Sequence, residues 1–382
     1  MNETATPRAP LAGVPPEILC AQDYEVLAAH FLPAAHHAYI AGGSGFELTL
    51  KANREAYERI RILPRLLCDV SAGHTGLSLL GRRLRHPILL APLAFQTLAH
   101  TGGELDTARA AEATDTGLIV STLSTYPLED IAAASKGEKW FQLYFQPLRD
   151  NTLELVHRAE AAGYSALVVT LDAAVQSPSL RARRAGFRMP DGVQPVNLAR
   201  HTQPPQVELE RGQSLIFQGL MREAPTWRDL DWLLQQTRLP VVVKGVLRAD
   251  DALTLKQSGV AGIIVSNHGG RVLDGVPASL DALPAVRTAV GAAYPVLLDS
   301  GIRTGSDIFK ALALGADAVL VGRLQVFALA VAGALGIAHM LKLLRTELEL
   351  CMAQTGCATM ADITADCISH RATPDRDVRP HP

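Results

Sequence analysis

Short apolar runs recur along residues 88–323, and they alternate with longer stretches whose apolar residues have helical spacing. Each run has the length and composition of a buried parallel strand. Stretches such as NTLELVHRAEAAG and TGSDIFKALALG lie between the runs, and several end in glycine, as helices often do before the next strand. The apolar runs are residues 88–94, 117–121, 139–145, 166–172, 241–246, 262–267, 296–301 and 318–323.

Strands that alternate with helices in this way predict an α/β fold, and eight of them match the strand count of a closed (β/α)8 TIM barrel. An open, doubly wound sheet could use the same units, but eight strands with none left over favour closure. Residues 23–57 have helical spacing broken at 41–45, which predicts an N-terminal helical extension. We expect a flexible N-terminus at 1–20, one barrel domain over 21–369 and a flexible tail at 370–382.

One connection is much longer than the others. Residues 173–240 separate the fourth and fifth predicted strands and are rich in Pro, Arg, Gln and Gly, although TWRDLDWLLQQT within them has helical spacing. A simple loop between a strand and a helix is far shorter. We therefore predict a lid over residues 173–225. The alternative is an insertion without function.

Composition excludes several classes of function. A formal net charge of −2 and a pI of about 6.6 provide no basic surface, so we expect no nucleic-acid partner. The five scattered cysteines lack zinc-ligand spacing, which predicts no metal site and a reducing cytoplasm. The N-terminus lacks the pattern of a signal peptide. We expect no membrane span, and we interpret the apolar segment 326–344, which contains His339 and Lys342, as a packed terminal helix.

The segment SNHGGR, residues 266–271, carries the strongest chemical signal. It follows the apolar run GIIV, so it lies at the carboxyl end of a strand, where ligands collect in α/β proteins. His268 suits proton transfer near neutral pH, and Arg271 suits a bidentate contact with a carboxylate. The glycines allow a flat ligand to approach the backbone. A core histidine and a surface arginine that border a turn are the alternative.

Almost every other predicted strand also ends in polar or small residues, and in a barrel these ends converge on one mouth. Arg303 and Arg323 beside glycines predict an anion site of the kind that holds phosphate, although each could instead form a surface ion pair. Lys244 could stabilise a reduced flavin or form an ion pair with Asp172 or Asp299. The residues with suitable donors and acceptors for a flavin edge are Ser124, Gln142, Thr170 and Lys244.

The segments SNHGGRVLD and DSGIRTGSDIFKALALGADAVLVGR, with APLAFQTLAH, FQLYF, VVTLD and VVVKGV, resemble the FMN-dependent 2-hydroxy-acid oxidases and dehydrogenases, which include glycolate oxidase and lactate oxidase. The resemblance covers roughly residues 20–350. It implies FMN as cofactor, His268 as catalytic base, Asp172 as the group that orients it, and Arg271, Tyr39 and Tyr144 as substrate-binding residues. The FMN contacts that it implies are Pro92, Leu93, Ala94, Ser124, Gln142, Thr170, Lys244, Ser266, Asp299, Gly301, Arg303, Gly322 and Arg323.

The chain departs from the family pattern after Asp172. A second substrate arginine is usual seven residues after this aspartate, and that position is Ser179 here. Arg181 is the nearest substitute and is our candidate for a substrate contact, with Arg183 and Arg184 as alternatives. Without a substitute, one guanidinium holds the substrate carboxylate, and the substrate could be larger or differently anchored. Ser300 replaces a usual glycine, a smaller change.

The resemblance implies that an (S)-2-hydroxy acid is oxidised to the 2-oxo acid, by hydride transfer or through a carbanion. Alanine at Ala94 favours an oxidase, with O2 as acceptor and H2O2 as product, over a dehydrogenase with another acceptor. The family also implies a homotetramer. Two other hypotheses remain open. One is an FMN barrel isomerase or peptide-modifying enzyme, suggested by Ser179, and the other is a flavin-binding protein without catalysis.

Overall fold

The computed structural model describes residues 6–202 and 209–370 of the chain. Its N-terminal part consists of three helices followed by three short strands. These elements are α1 (Asp23–Ala28), α2 (Ala34–Ala41), α3 (Leu48–Glu58), β1 (Ile60–Ile62), β2 (Leu77–Leu79) and β3 (Arg82–Leu84). The predicted helical extension is thus present, and β2 and β3 pair as an antiparallel hairpin.

Eight parallel strands follow in the described residues and form a closed barrel. They are β4 (Ile88–Leu90), β5 (Gly117–Ser121), β6 (Lys139–Leu143), β7 (Leu167–Thr170), β8 (Val241–Val246), β9 (Gly262–Val265), β10 (Val296–Leu298) and β11 (Ala318–Val321). They pair in the order β10-β11-β4-β5-β6-β7-β8-β9. The predicted (β/α)8 TIM barrel is confirmed.

Several strands end earlier than the apolar runs predict, because the last residues of those runs turn away from the ladder. The run at 296–301 is an example: β10 ends at Leu298, and Ser300 and Gly301 have φ values of 80° and 88°. Such left-handed backbone cannot continue a strand. The residues that the sequence predicts as strand ends therefore form the loops around the barrel mouth.

Most strands are followed by a helix that packs against the outside of the barrel. The helices are α4 (Gly103–Ala113), α5 (Leu128–Ala133), α6 (Arg149–Ala161), α7 (Leu180–Arg184), α8 (Trp227–Leu234), α9 (Ala249–Gln257), α10 (Ser279–Val290), α11 (Gly305–Ala313) and α12 (Arg323–Thr355). At the start of α11, Thr304 Oγ1 accepts from Asp307 N, and Asp307 Oδ2 accepts from Thr304 N, both at 3.1 Å. This capping box satisfies two backbone donors that helix geometry leaves free.

Successive side chains of each strand point to opposite faces of the barrel wall, and this divides the core into two clusters. On β9, Ile264 points into the barrel, whereas Ile263 and Val265 pack against the helices. Leu79 and Leu84 of the β2–β3 hairpin belong to the interior cluster. The hairpin therefore covers one end of the barrel, and the opposite end, where the strands finish, is left for a site.

Helix α12 is long and apolar enough to cross a membrane by length and composition, but 78% of its most apolar window is buried inside the fold. It contacts α1, α4 and α11 and is interrupted by non-helical backbone at Ala332 and Gly333. These contacts match the predicted packed terminal helix. Beyond it, strand β12 (Ile368–His370) pairs antiparallel with β1.

The segments outside the barrel are partly ordered against it. Ile18 is buried, and Leu11 N–H donates to Val331 O at 2.8 Å, so these two residues of the predicted flexible N-terminus, 1–20, contact the fold. Ser179 of the predicted lid forms an isolated parallel bridge with Gly45, which lies between α2 and α3. Parts of the predicted lid and of both predicted flexible ends, residues 203–208, 1–5 and 371–382, lie outside the described residues.

Candidate active site

A cavity of about 280 Å³ lies at the carboxyl ends of the barrel strands. Its wall combines small and apolar residues after β4 with polar side chains from β6, β7, β8 and the loops after β9 and β10. The predicted site residues that line it are Tyr39, Pro92, Leu93, Ala94, Gln142, Tyr144, Thr170, Lys244, His268, Arg271, Asp299, Gly301, Arg303, Gly322 and Arg323.

His268 reaches this cavity from a strained position. Its φ is 57°, unusual for a residue with a side chain, and Gly269 and Gly270 continue in the left-handed region. A Cβ on Gly270 would lie 2.8 Å from the backbone N of Leu50, so only glycine fits there. Ser266 Oγ accepts from His268 N at 3.0 Å and helps to hold the turn. The tight turn directs the imidazole into the cavity.

Asp172 orients the imidazole. Its Oδ1 lies 2.9 Å from His268 Nδ1. Burial raises the pKa of Asp172, but His268 and Lys244 more than offset this and leave the pKa below its ordinary value. The ionised carboxylate can only accept, so Nδ1 carries the proton of a neutral imidazole and Nε2 has a free lone pair. The pair therefore presents a base to the cavity.

Arg271 and the two predicted tyrosines line the same cavity. Arg271 Nη1 donates to the carbonyl oxygens of Tyr39 and Gly42 at 2.8 and 3.1 Å, and its Cζ lies 5.0 Å from the centre of the Tyr39 ring. These contacts fix the guanidinium, and within the described residues its hydrogen bonds all come from Nη1, which leaves other N–H groups for a ligand. Burial raises the pKa of Tyr144, and the Asp172 charge adds to this, so Tyr144 keeps its proton as a donor.

Arg323 marks a second, strongly positive part of the cavity. Its three nitrogens donate to the carbonyl oxygens of Ile40, Gly269 and Gly42 at 2.9 to 3.1 Å. Burial, together with the positive charges of Arg271 and Arg303, lowers the pKa of Arg323 to about 9. Glu25 accepts from Arg303 at 2.5 and 3.2 Å. An anion in this part of the cavity would relieve the repulsion among the guanidinium groups.

Comparison with known proteins agrees with this geometry. The sequence profile of the family described as FMN-dependent dehydrogenase matches residues 28–370. The chain belongs to this family. An L-lactate oxidase from Alicycliphilus denitrificans is 60% identical over 356 residues, which cover 93% of this chain and 98% of the relative. A glycolate oxidase from Oryza sativa subsp. indica is 42% identical, with 96% and 99% covered.

Solved structures give the same result. A mandelate oxidase variant with (S)-mandelic acid is 38% identical and superimposes with a TM-score of 0.83, covering 92% of this chain and 98% of that one. Another structure of a mandelate oxidase variant contains a C4a-OH-FMN adduct. This protein is therefore an FMN-dependent enzyme that oxidises 2-hydroxy acids, as the resemblance implied. The isomerase, peptide-modifying and non-catalytic hypotheses lose their support.

The residues of the FMN enzyme's cavity fit the cofactor. Gln142 Oε1 accepts from Ser121 Oγ and Thr122 N, both at 3.2 Å, so its amide nitrogen is the end left for a ligand. Within the described residues, Gln142 Nε2 and Thr170 Oγ1 are buried without a hydrogen-bond partner. Buried polar atoms rarely stay unpaired. A flavin edge supplies acceptors and donors for both atoms, and the phosphate suits the Arg303 and Arg323 region.

Lys244 connects the flavin region to the base. Its Nζ lies 3.1 Å from Asp299 Oδ2 and donates to Ser266 Oγ at 2.8 Å. Burial lowers the pKa of Lys244, but Asp299 and Asp172 more than compensate, so the net pKa is raised and the ammonium persists. The ion pair with Asp299 that we considered as an alternative is present, and it holds a positive charge at the cavity wall.

Three predicted contacts lie outside the cavity lining. Ser266 is buried behind it, where its Oγ accepts from Lys244 Nζ and His268 N. Ser124 is buried outside the cavity lining, where it donates to Tyr126 O at 2.7 Å and accepts from Asn197 Nδ2 at 2.8 Å. Arg181 is half exposed and pairs with Glu47 rather than lining the cavity. Ser179 Oγ accepts from Ala182 N at 3.3 Å and caps α7, the helix that contains Arg181. In the described lid segments, 173–202 and 209–225, no arginine lines the cavity in place of the missing one.

Three residues that we did not select complete the site. Gln176 is the residue of the described lid segments, 173–202 and 209–225, that lines the cavity. Phe187 stacks on Tyr39, and Ser300 Oγ accepts from Gly269 N at 3.0 Å while donating to Asp299 at 2.7 Å. The serine in place of a usual glycine thus joins the loops after β9 and β10. No group of three or more potential metal ligands occurs in the described residues.

Proposed function

We propose that the protein oxidises L-lactate to pyruvate and passes the electrons to O2, which yields H2O2. The observation that carries this proposal is the 60% identity with an L-lactate oxidase over nearly the whole of both chains. Further relatives with this activity, from Roseobacter and Nostoc strains, are 50% and 47% identical. Ala94 at the cavity wall, the residue type that favoured an oxidase, supports O2 as acceptor.

In the proposed complex, the substrate carboxylate pairs with Arg271, whose guanidinium is already fixed by carbonyl oxygens. The hydroxyls of Tyr39 and Tyr144 supply further hydrogen bonds. With Ser179 as the cap of α7 and Arg181 paired with Glu47, one guanidinium carries the carboxylate. The neutral Gln176 amide at the cavity wall supplies a polar group on the lid side.

His268 Nε2 accepts the proton that the substrate loses, and the resulting imidazolium is stabilised by Asp172 at 2.9 Å. Bound FMN supplies the two-electron acceptor for the oxidation at the substrate Cα. The buried Lys244 ammonium places positive charge beside the cavity, which favours negative charge that develops there. Gln142, Thr170, Arg303 and Arg323 would hold the cofactor, and Pro92, Leu93 and Ala94 would supply small and apolar contacts to it.

The test uses purified yellow enzyme with L-lactate, D-lactate, glycolate and (S)-mandelate. Oxygen uptake and peroxide formation are measured in air, and bleaching of the flavin is measured without oxygen. We expect the highest kcat/KM with L-lactate, no turnover of D-lactate, and one peroxide for each O2 consumed. Bleaching without peroxide would identify a dehydrogenase, and the absence of bleaching with every acid would overturn the proposal.

We also propose a homotetramer. Phe46, Leu48 and Leu273 are 79%, 61% and 60% exposed and surround Asp274, which accepts from Phe46 N and Thr49 N. Exposed apolar groups of this size are typical of surfaces that associate. Light scattering after size exclusion tests this assembly, and a monomer would contradict it. The cytoplasmic location stays a prediction from the cysteine pattern.

A further inference from the structure

Two buried cysteines lie side by side at the C-terminal end of the described chain. Cys357 Sγ is 3.7 Å from Cys367 Sγ, and the two residues are 2% and 3% exposed. Both thiols point at the same backbone oxygen, Asp362 O, at 3.4 and 3.6 Å. The chain between them returns on itself, so the sulfurs face each other with a carbonyl as their shared acceptor.

The two residues belong to different structural elements. Cys357 follows Gly356, which ends α12 in a left-handed conformation, and Cys357 N donates back to Met352 O at 2.9 Å. Cys367 ends a short 3-10 helix just before β12, and its carbonyl accepts from Leu63 N at 2.8 Å. A bond between the sulfurs would therefore attach the end of α12 to the strand that pairs with β1.

We propose that Cys357 and Cys367 are a disulfide site that is oxidised by hydrogen peroxide. The proposal rests on the proposed function for its source of peroxide, since an oxidase releases this product into the solution around the protein. The sulfurs must approach from 3.7 Å to about 2.0 Å, the length of a disulfide bond. Both residues lie in turns rather than inside a long helix, so small changes in the side-chain torsions can bring them together.

The reaction balances with one peroxide for each pair. One sulfur, after losing its proton, attacks a peroxide oxygen, the O–O bond breaks, and the departing hydroxide takes up the proton as water. The second sulfur then attacks the resulting sulfenic acid, the S–S bond forms, the S–O bond breaks, and the second proton leaves in another water. The two thiols lose two electrons, and the peroxide gains two.

Burial raises the pKa of the Cys357 thiol, and the neighbouring Cys367 adds to this, so the thiolate fraction at neutral pH is small. The pair therefore reacts slowly, over many turnovers. Cys68 is an exposed thiol nearby, since a Cβ on Gly356 would lie 2.5 Å from its Sγ. It is the competing partner that an experiment must separate from Cys367.

The test counts thiols and maps peptides of the holoenzyme after three treatments: turnover in air with substrate, the same turnover with catalase, and added peroxide without substrate. We expect the five thiols to fall to three, a loss of two, after turnover and after added peroxide, and to remain at five with catalase. The peptide map should contain a Cys357–Cys367 link, and dithiothreitol should restore both thiols. A Cys68→Ser variant, which has four thiols, should lose the same two and form the same link.

The oxidised holoenzyme should also have a higher Tm than the reduced form, because the link closes a loop and restrains the unfolded chain. This difference in Tm should vanish in the Cys367→Ala variant and persist in Cys351→Ser, which alters an unpaired thiol on α12.

The added-peroxide treatment does not depend on the enzyme's own chemistry. If it leaves Cys357 and Cys367 free, links either one to Cys68, or converts them to sulfinic acids, the proposal fails even when peroxide is produced in turnover. If it forms the link while turnover forms none, the proposed electron acceptor is wrong instead.

Discussion

The ring of Tyr39 lies 4.2 Å from the ring of Phe187, with their planes 10° apart. Tyr39 belongs to α2, outside the barrel, and Phe187 to the lid segment that follows α7. The Arg271 guanidinium carbon is 5.0 Å from the centre of the same tyrosine ring. Tyr39 therefore connects a lid residue to the proposed carboxylate anchor, and the position of the lid influences how well the anchor is preorganised.

Removing this stack should weaken substrate binding more than it slows the chemical step. We expect Phe187→Leu to raise the KM for L-lactate roughly 2- to 12-fold, the range given by the stacking energy of an aromatic pair, with a smaller change in kcat. Steady-state kinetics measure both. Phe217→Leu is the matched control, because Phe217 is also in the lid but is 71% exposed and outside the cavity lining. A fall in kcat at unchanged KM would contradict this role.

The missing arginine leads to a prediction about charge. Gln176→Arg should bring a second guanidinium to the cavity wall and lower the KM for L-lactate, since a carboxylate binds more tightly between two positive groups. Arg181→Ala should leave KM unchanged, because Arg181 pairs with Glu47 outside the cavity. The kinetics of both variants, with L-lactate and with (S)-mandelate, check this. A large rise in KM for Arg181→Ala would return Arg181 to the substrate site.

Restoring arginine at Ser179 itself should fail. The change removes the hydroxyl that caps α7, and Ser179 Oγ already lies 2.9 Å from the position that a Cβ on Gly42 would take. Loss of a cap costs about 0.5–2 kcal/mol, so we expect Ser179→Arg to lower Tm without lowering KM. Thermal unfolding and kinetics measure the two effects, with Ser179→Thr as a control that keeps a capping hydroxyl.

The barrel could be predicted because its strands are short apolar runs, each followed by helical periodicity. The lid contacts could not be predicted, because they depend on the bridge between Gly45 and Ser179, residues far apart in sequence. Nearness to Ser179 along the chain predicts a substrate contact for Arg181, whereas in the folded chain Arg181 pairs with Glu47. Ser124 follows a strand as expected, but Asn197 of the lid binds its hydroxyl away from the cavity.

The carboxylate of Asp172 should matter for turnover and much less for the cofactor. Asp172→Asn keeps the shape of the side chain but replaces the carboxylate with a neutral amide. The amide no longer fixes the His268 tautomer or stabilises the imidazolium. We expect kcat/KM to fall by about 100-fold or more, judged from a comparable change in a catalytic triad, with FMN still bound. Because the pKa of Asp172 lies below its ordinary value, the wild-type carboxylate is ionised throughout pH 5–8. The loss should therefore be present across that whole range, and recovery of the variant at pH 8 would contradict this role.

The last prediction concerns the phosphate of FMN. Burial, together with the positive charges of Arg271 and Arg303, lowers the pKa of Arg323, so a negative charge in this region would stabilise its guanidinium. The phosphate of FMN would supply this negative charge, whereas riboflavin, which has no phosphate, would not.

We expect Arg323→Lys to weaken FMN binding to the apoenzyme at least about tenfold, as for a lost charge-assisted hydrogen bond, and to leave riboflavin affinity unchanged. Flavin fluorescence titration measures both affinities. Arg248→Lys serves as the control, since Arg248 is exposed, pairs with Asp250 and is not part of the cavity lining. An equal loss for both flavins would show that Arg323 supports the fold by binding the carbonyl oxygens of Ile40, Gly42 and Gly269, rather than the phosphate.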